Sequence, residues 1–523
     1  MQRLIRGVDP LVFWGSTGAA TAFVLWGVLA TDNLASVMSS VLDWVIRNFG
    51  WAFVLIALGA LIFCIVVAVS PYGRIRLGPD DSRPEFRTVS WVAMMFAAGL
   101  GLGLMFYGVA EPISHFAAPP HGLAEPRSQE AELLALETTY FHWGFNGWAI
   151  YAVMGLALAY FTFRRGTPNL VSSTFTPLLG ERASEHPLGR TIDGLAIFAT
   201  LFGTATSLGL GALQINSGLN FLWDVTISNT IGVIIIIAIT ALFVISAVSG
   251  VERGIQFLAN LSGGATVALM VFFLIVGPTV FIIGTAIESI GNYLIHLAPM
   301  SFRTGTFGDS EWMAAWTIFY WAWWISWAPF VGTFVARISR GRTIREFIVG
   351  VIAMPTGLGF VWFAIVGSTG IHLQTSGEAD LVGTVATPEL SLFTALEQLP
   401  LTTITSVVSL ILIAFFFISG ADAASVVMAM LASRGNLEPA RVVVAIMGCL
   451  MGAIACALLL VGGLTALQQG AVLASVPFTF VIVGIGWSLT KALRQERVPA
   501  HIPLVTQSPT GPELIPPTPE GRS

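Results

Sequence analysis

Runs of about 20 apolar residues, the length a helix needs to cross a hydrocarbon core, recur along nearly the whole chain. LVFWGSTGAATAFVLWGVLA from Leu11 and WAFVLIALGALIFCIVVAVS from Trp51 are two of the twelve we read. In lipid every backbone polar group must be satisfied within the protein, so such runs can only be helices. The pattern therefore predicts an all-α integral membrane protein with twelve transmembrane helices. Composition agrees: 55% of the 523 residues are hydrophobic and 10% are charged. The first run is too long and too weakly bounded by small residues for a cleaved signal peptide, and reads as the first span. Cys64, Cys449 and Cys456 lie inside apolar runs, as packing residues without a disulfide or metal framework. Few bases and a net charge of −5 give no reason to expect a nucleic-acid partner; the expected surroundings are the lipid bilayer.

Cytoplasmic loops collect Lys and Arg. With the N-terminus inside, all but Arg47, Arg127 and Arg303 of the 24 basic residues fall on the cytoplasmic side, while Ile371 to Pro400 carries four carboxylates and neither Lys nor Arg. This distribution predicts a multi-pass protein of a bacterial-type inner (plasma) membrane with both termini cytoplasmic. Residues 1–7 read as a short cytoplasmic N-terminus, 8–493 as one membrane domain, and 494–523, rich in proline and polar residues, as a disordered cytoplasmic tail. SVLDWVIRNF and SIGNYLIHL read as interfacial helices or frayed span ends.

Two spans depart from a continuous apolar helix. The third, VSWVAMMFAAGLGLGLMFYGVAEP, sets Gly99, Gly101 and Gly103 at mid-bilayer. Each glycine weakens a helix by up to about 1 kcal/mol relative to alanine. An unwound segment there is tolerated where it lines a cavity, as in secondary transporters; a small-residue packing seam is the structural alternative. The eighth span contains Trp316, Phe319, Tyr320, Trp321, Trp323, Trp324 and Trp327. Those rings extend over about 16 Å of helix axis, too far for an interfacial belt. IFYW at Ile318 echoes MFYG at Met105, which fits two five-helix halves, roughly residues 88–290 and 312–490.

The fourth span adds FHWGFNGWAIY, whose Trp143, Trp148 and Tyr151 would share a wedge of about 140° on a regular helix. Rings from two helices can form a box for a quaternary ammonium, whose methyl groups favour apolar contact and whose diffuse charge favours ring quadrupoles, at about 0.5 to 2 kcal/mol per ring. Neither aromatic stretch has an Asp or Glu between its rings. Free N–H groups at the glycine break could hold the carboxylate of a zwitterion.

WTIFYWAWWISWAPFVGTFVARISRGRTIREF, GLGLG followed by MFYGVAEP, and HWGFNGWAIY resemble, in order, the motifs of the betaine/choline/carnitine transporter family, and the similarity covers essentially all twelve spans. The resemblance implies a homotrimer whose subunits carry two N-terminal helices ahead of a five-plus-five inverted repeat (a neurotransmitter:sodium symporter-like fold), moving small quaternary-ammonium or zwitterionic solutes by alternating access. By that resemblance Trp143, Trp148, Tyr151 and Trp324 match the central box. Trp321, Trp323 and Trp327, in the stretch that begins at Phe319, match rings of the permeation path, and the amides near Gly101 and Leu102 match a carboxylate contact.

Gly103 follows the sodium-driven members, where proton-driven choline carriers have an acidic residue. The resemblance then implies Na⁺ as coupling ion and no other cofactor. One ion site would use the carbonyls of Ala97 and Leu100 with Ser419, and a second Thr200 and Thr204 near Phe330. Gly420 stands where a second hydroxyl is expected, so one oxygen is missing. A sodium-independent exchanger or a choline carrier is the alternative. Asp422, read as buried in the tenth span, is a further functional candidate. The tail lacks the long basic helix of osmotically sensing members, so little such sensing is expected. An enzyme is not expected, because the seven His residues read as unpaired, with His142 beside Trp143 and the rest mostly in loops. The leading expectation is sodium-coupled import of glycine betaine or a similar compatible solute such as ectoine, proline betaine or carnitine, serving osmoprotection.

Overall fold

The computed structural model describes residues 7–99, 101–249 and 252–496. These form α1 (Pro10–Leu29), α2 (Thr31–Val69), α3 (Thr88–Gly99), α4 (Leu102–Ala117), α5 (Gln129–Trp143), α6 (Phe145–Ala159) and the short α7 (Thr176–Leu179). There follow α8 (Pro187–Trp223), α9 (Asn229–Ser249), α10 (Glu252–Val276), α11 (Thr279–Ser301), the short α12 (Ser310–Met313), α13 (Phe319–Ile338), α14 (Ile344–Thr375), the short α15 (Ser391–Glu397), α16 (Thr402–Ala432) and α17 (Arg441–Arg494). Extended pairing among the described residues is limited to one bridge, Arg76 with Thr343.

Nine helical segments among the described residues are long and apolar enough to cross a bilayer. The outward faces of the bundle carry large apolar side chains, among them Leu29, Val66, Val280, Ile295 and Trp487. A water-soluble protein would leave no such surface exposed; lipid is its natural solvent. At about 1.5 Å per residue the 54 residues of α17 would extend about 80 Å, far beyond one crossing. The helix breaks at Gly462 and Gly463, and Gly463 has φ 57° and ψ −137°, a conformation essentially reserved for glycine.

Helices early in the chain pack against helices late in it. α3 and α4 lie against α14, α6 lies against α13, and α8 and α9 pack on both α16 and α17. Polar contacts gather both ends of the described chain on one face. Arg190 Nε lies 3.1 Å from Asp9, whose backbone N–H donates to Ala432. At the other end Glu496 binds Arg164 at 2.7 Å, and Arg164 also reaches Asp80 at 2.8 Å. Burial works against the charged form of Glu496, but the Arg164 guanidinium and the Tyr160 hydroxyl outweigh it and hold its carboxyl below the usual range.

Both stretches read as interfacial helices or span ends belong to longer helices. SVLDWVIRNF is not a separate surface helix; it is continuous with the 39-residue α2, because nothing between Thr31 and Val69 breaks helical hydrogen bonding. SIGNYLIHL lies inside the 23-residue α11. Most of the tail read as disordered lies outside the described residues, while 494–496 finish α17 and its cap.

Candidate functional site

α3 ends at Gly99 and α4 begins at Leu102, with Gly101 extended between them (φ −162°, ψ 177°). The break is narrower than the three glycines suggested, since Gly103 already lies in the first turn of α4. Gly103 serves a different end. A Cβ there would sit 2.7 Å from Trp143 Cη2 and 3.0 Å from Trp323 Cη2, so the absence of a side chain lets two indoles close over the helix start. No side chain caps α4, and while the Leu104 N–H donates to the Gly101 carbonyl, those of Leu102 and Gly103 are available at the positive end of the helix dipole.

The fourth span also breaks. α5 stops at Trp143, Gly144 is non-helical, and α6 starts at Phe145, whose N–H is taken by the Tyr293 hydroxyl at 3.2 Å. Trp143 therefore does not share one regular helical wedge with Trp148 and Tyr151; the kink, not a uniform 100° turn, brings it beside them. Trp324 from α13 packs against all three, with ring centroids 4.7 Å from Tyr151, 5.3 Å from Trp148 and 6.2 Å from Trp143.

These rings, Trp323, Trp327, Ser207 and the backbone from Gly101 to Leu104 line one cavity, which offers about 80 Å³ to the centres of water-sized molecules. One water needs roughly 10–15 Å³ on that measure, so a solute of a few heavy atoms fits. Its lining includes no charged side chain. A larger cavity of about 440 Å³ is lined by Glu130, Glu137, His296, Arg303, Trp312 and Thr317, among others. It carries charges of both signs, as an entrance does; the smaller one has converging rings and a helix start, as a binding site does.

Phe319 and Trp321 do not line the central cavity. Phe319 stacks on Trp323 at 5.6 Å, and Trp321 is enclosed against Phe141 at 5.2 Å. Of the ion-site candidates, Thr200 and Thr204 lie one turn apart on α8, where Gly203 allows close approach of Ser326 and Trp327 of α13. The Thr200 hydroxyl donates to the Ala196 carbonyl at 2.8 Å, while the buried Thr204 hydroxyl has no partner in the protein. Phe330 packs on Trp327 at 5.5 Å. Ala97 belongs to the end of α3 and Leu100 lies outside the described residues. Ser419 is half-buried on α16, and among the described residues no atom of another element lies within 4 Å of where a Cβ at Gly420 would stand. Asp422 is half-buried rather than enclosed, because α16 turns this position partly outward.

One cluster escaped the sequence reading. Glu111, His115 and His142 are completely buried together, so the histidines do associate. His142 Nδ1 is 2.7 Å and His115 Nε2 3.3 Å from Glu111 Oε1, and Glu111 Oε2 accepts from Trp143 Nε1 at 2.8 Å and from the Tyr320 hydroxyl. The three offer ligand atoms within 4.8 Å of one another, a donor set that suits a transition metal. Both carboxylate oxygens are already satisfied by protein donors, which accounts for the arrangement as a hydrogen-bond network. The signal was present in MFYGVAEP, where a glutamate inside a span is costly unless partnered. Its partners come from spans distant in sequence.

A multi-pass helical bundle with an aromatic cavity between two broken helices defines a membrane transporter, not an enzyme. The chain belongs to the BCCT, or betaine/carnitine/choline, family of transporters, whose family model matches residues 11–498. It is 47% identical to the glycine betaine transporter OpuD of Bacillus subtilis over 93% of this chain and 94% of that one. It is 41% identical to the betaine/ectoine transporter LcoP of Corynebacterium glutamicum, over 94% of this chain and 79% of that one. With the ectoine/hydroxyectoine transporter of Virgibacillus pantothenticus it shares 36% identity over 92% and 96% of the two chains.

Proposed function

We propose that this chain imports glycine betaine or a similar compatible solute, of trimethylammonium or ectoine type, across a bacterial plasma membrane by sodium-coupled alternating access. The observation that carries the reading is one cavity combining Trp143, Trp148 and Tyr151, packed round Trp324, with the uncapped start of α4. The rings suit a quaternary ammonium, and the amides at Leu102 and Gly103 suit a carboxylate. The two ends of a zwitterion then need no charged side chain in the cavity wall. The names of the similar transporters agree with this substrate class.

The architecture proposed is twelve crossings with both termini cytoplasmic, arranged as two N-terminal helices and an inverted repeat, and assembled as a homotrimer. Its supports are the packing of α3 and α4 on α14 and of α13 on α6, and the two crossing lengths within α17. Sodium would bind at Thr200 and Thr204, where a hydroxyl is left without a partner, and more weakly beside Ser419. Gly420 favours a second reading, sodium-independent exchange, because an oxygen that sodium would use is missing there.

Uptake of labelled glycine betaine into proteoliposomes separates these readings. Concentrative uptake that needs an inward sodium gradient and stops when potassium replaces sodium is the expected result. Uptake indifferent to sodium but stimulated by substrate preloaded inside would establish exchange instead.

A further inference from the structure

The Glu111 cluster joins the two cavities. Trp143, whose indole N–H binds Glu111, lines the aromatic cavity; Thr317, 3.0 Å from His142 Nε2, lines the larger one. Glu111 comes from α4, His142 and Trp143 from the end of α5, Tyr320 from α13, and Thr317 from the π-helical turn Ala314–Ile318 that leads into α13. The network thus ties both broken helices to the ring-bearing α13. Its rings are stacked as well as hydrogen bonded: Tyr320 lies parallel to His142 at 4.6 Å and packs on Trp143 at 5.6 Å.

The hydrogen-bond inventory is complete with Glu111 as a carboxylate. Four donors converge on the two oxygens of Glu111, which is what an acceptor-only carboxylate accommodates and a protonated carboxyl does not. His142 donates from Nδ1 and can accept from the Thr317 hydroxyl at Nε2. His115 donates from Nε2, and its buried Nδ1 has no partner, as an unprotonated ring nitrogen would be left. The Glu111 carboxylate thus stands directly behind an indole of the cavity. A carboxylate accepting an indole N–H pushes electron density into the ring and deepens the negative face that a cation meets.

Resting on the transport reading above, we propose that Glu111 is a positioning residue for the aromatic box: it fixes the Trp143 indole by its N–H and supplies, from outside the cavity, the negative charge that raises affinity for a quaternary ammonium. The box then has an anionic counterpart without exposing a carboxylate to the solute, whose own carboxylate it would repel.

The test uses full-length protein in proteoliposomes, with glycine betaine uptake and tryptophan-fluorescence titration as readouts. Glu111→Gln keeps the shape but sets an amide N–H₂ against two donors, and should raise KM and the dissociation constant at least tenfold with a much smaller change in Vmax. Trp143→Phe keeps a ring and removes the N–H. In that background Glu111→Gln should add less than threefold, because the route through the indole is already cut. Glu111→Asp, which keeps the charge on a shorter arm, should fall between wild type and Glu111→Gln; should the glutamine variant not reach the membrane, the aspartate variant with and without Trp143→Phe reads the same coupling. An unchanged KM, a loss confined to Vmax, or full additivity with Trp143→Phe overturns the proposal while wild-type transport stands. A wild-type chain that neither binds nor carries a trimethylammonium zwitterion overturns the transport reading itself, and this proposal with it.

Discussion

At the scale of single residues the aromatic box rests on close approaches that only small residues permit. A Cβ at Gly147 would lie 2.6 Å from Trp324 Cε2, and one at Gly103 2.7 Å from Trp143, so the rings are seated against bare backbone. Trp324 is the ring with most to lose, since it touches Trp143, Trp148 and Tyr151 together. Trp324→Leu should therefore weaken glycine betaine binding by more than about 1 kcal/mol, roughly fivefold in Kd. Fluorescence or calorimetric titration of the purified variant checks this, and an unchanged Kd would remove Trp324 from the site. Gly420 offers the opposite experiment. Its surroundings are open, so Gly420→Ser introduces a hydroxyl without steric cost. Sodium affinity in an uptake titration should rise, and an unaltered sodium curve would end the assignment of an ion site beside Ser419.

At the scale of elements, the sequence made the breaks easier to find than their limits. Apolar length revealed the spans, because a helix in lipid has no other way to satisfy its backbone. Alternating glycines revealed the interruption at Gly101, yet Gly103 proved helical and acts through ring packing. The break at Gly144 and the π-helical turn at Ala314–Ile318 went unseen. Each depends on partners remote in sequence: the Tyr293 hydroxyl takes the Phe145 N–H, and α2 packs on the π turn. The Glu111 cluster was hidden for the same reason, whereas the box residues were legible because their rings are dense along two short stretches. Gly463 was not singled out either, although it sets the path of α17. Its φ of 57° with ψ −137° is open only to glycine, and nothing lies within 4 Å of a Cβ built there. Gly463→Ala should thus report backbone strain alone, about 1–3 kcal/mol. A lower thermal midpoint for the purified variant is expected; an equal midpoint would mean that the kink relaxes into an ordinary helical conformation.

For the whole molecule, the decisive question is which face meets the cytoplasm. The contacts of Asp9 with Arg190 and of Glu496 with Arg164 put both ends of the described chain on the face that also holds Asp80 and the loop after α6. On the sequence reading all but three of the 24 basic residues lie on the side of the termini, and cytoplasmic loops are the ones enriched in Lys and Arg. The segment from Phe302 to Asp309 lines a separate cavity that shares His121, Leu123 and Arg303 with the 440 Å³ one, and should then open outward. Single cysteines can decide this after Cys64, Cys449 and Cys456 are replaced. Thr306 and Glu181 are both exposed, one in the 302–309 segment and one in the loop before α8. In intact cells an impermeant maleimide should label Thr306→Cys and leave Glu181→Cys untouched until the membrane is opened. Labelling in the reverse order would invert the topology and make the 440 Å³ cavity an inner vestibule. The aromatic box and the Glu111 network would keep their geometry, but solute would then pass the network when leaving the box for the cytoplasm instead of when entering it from outside.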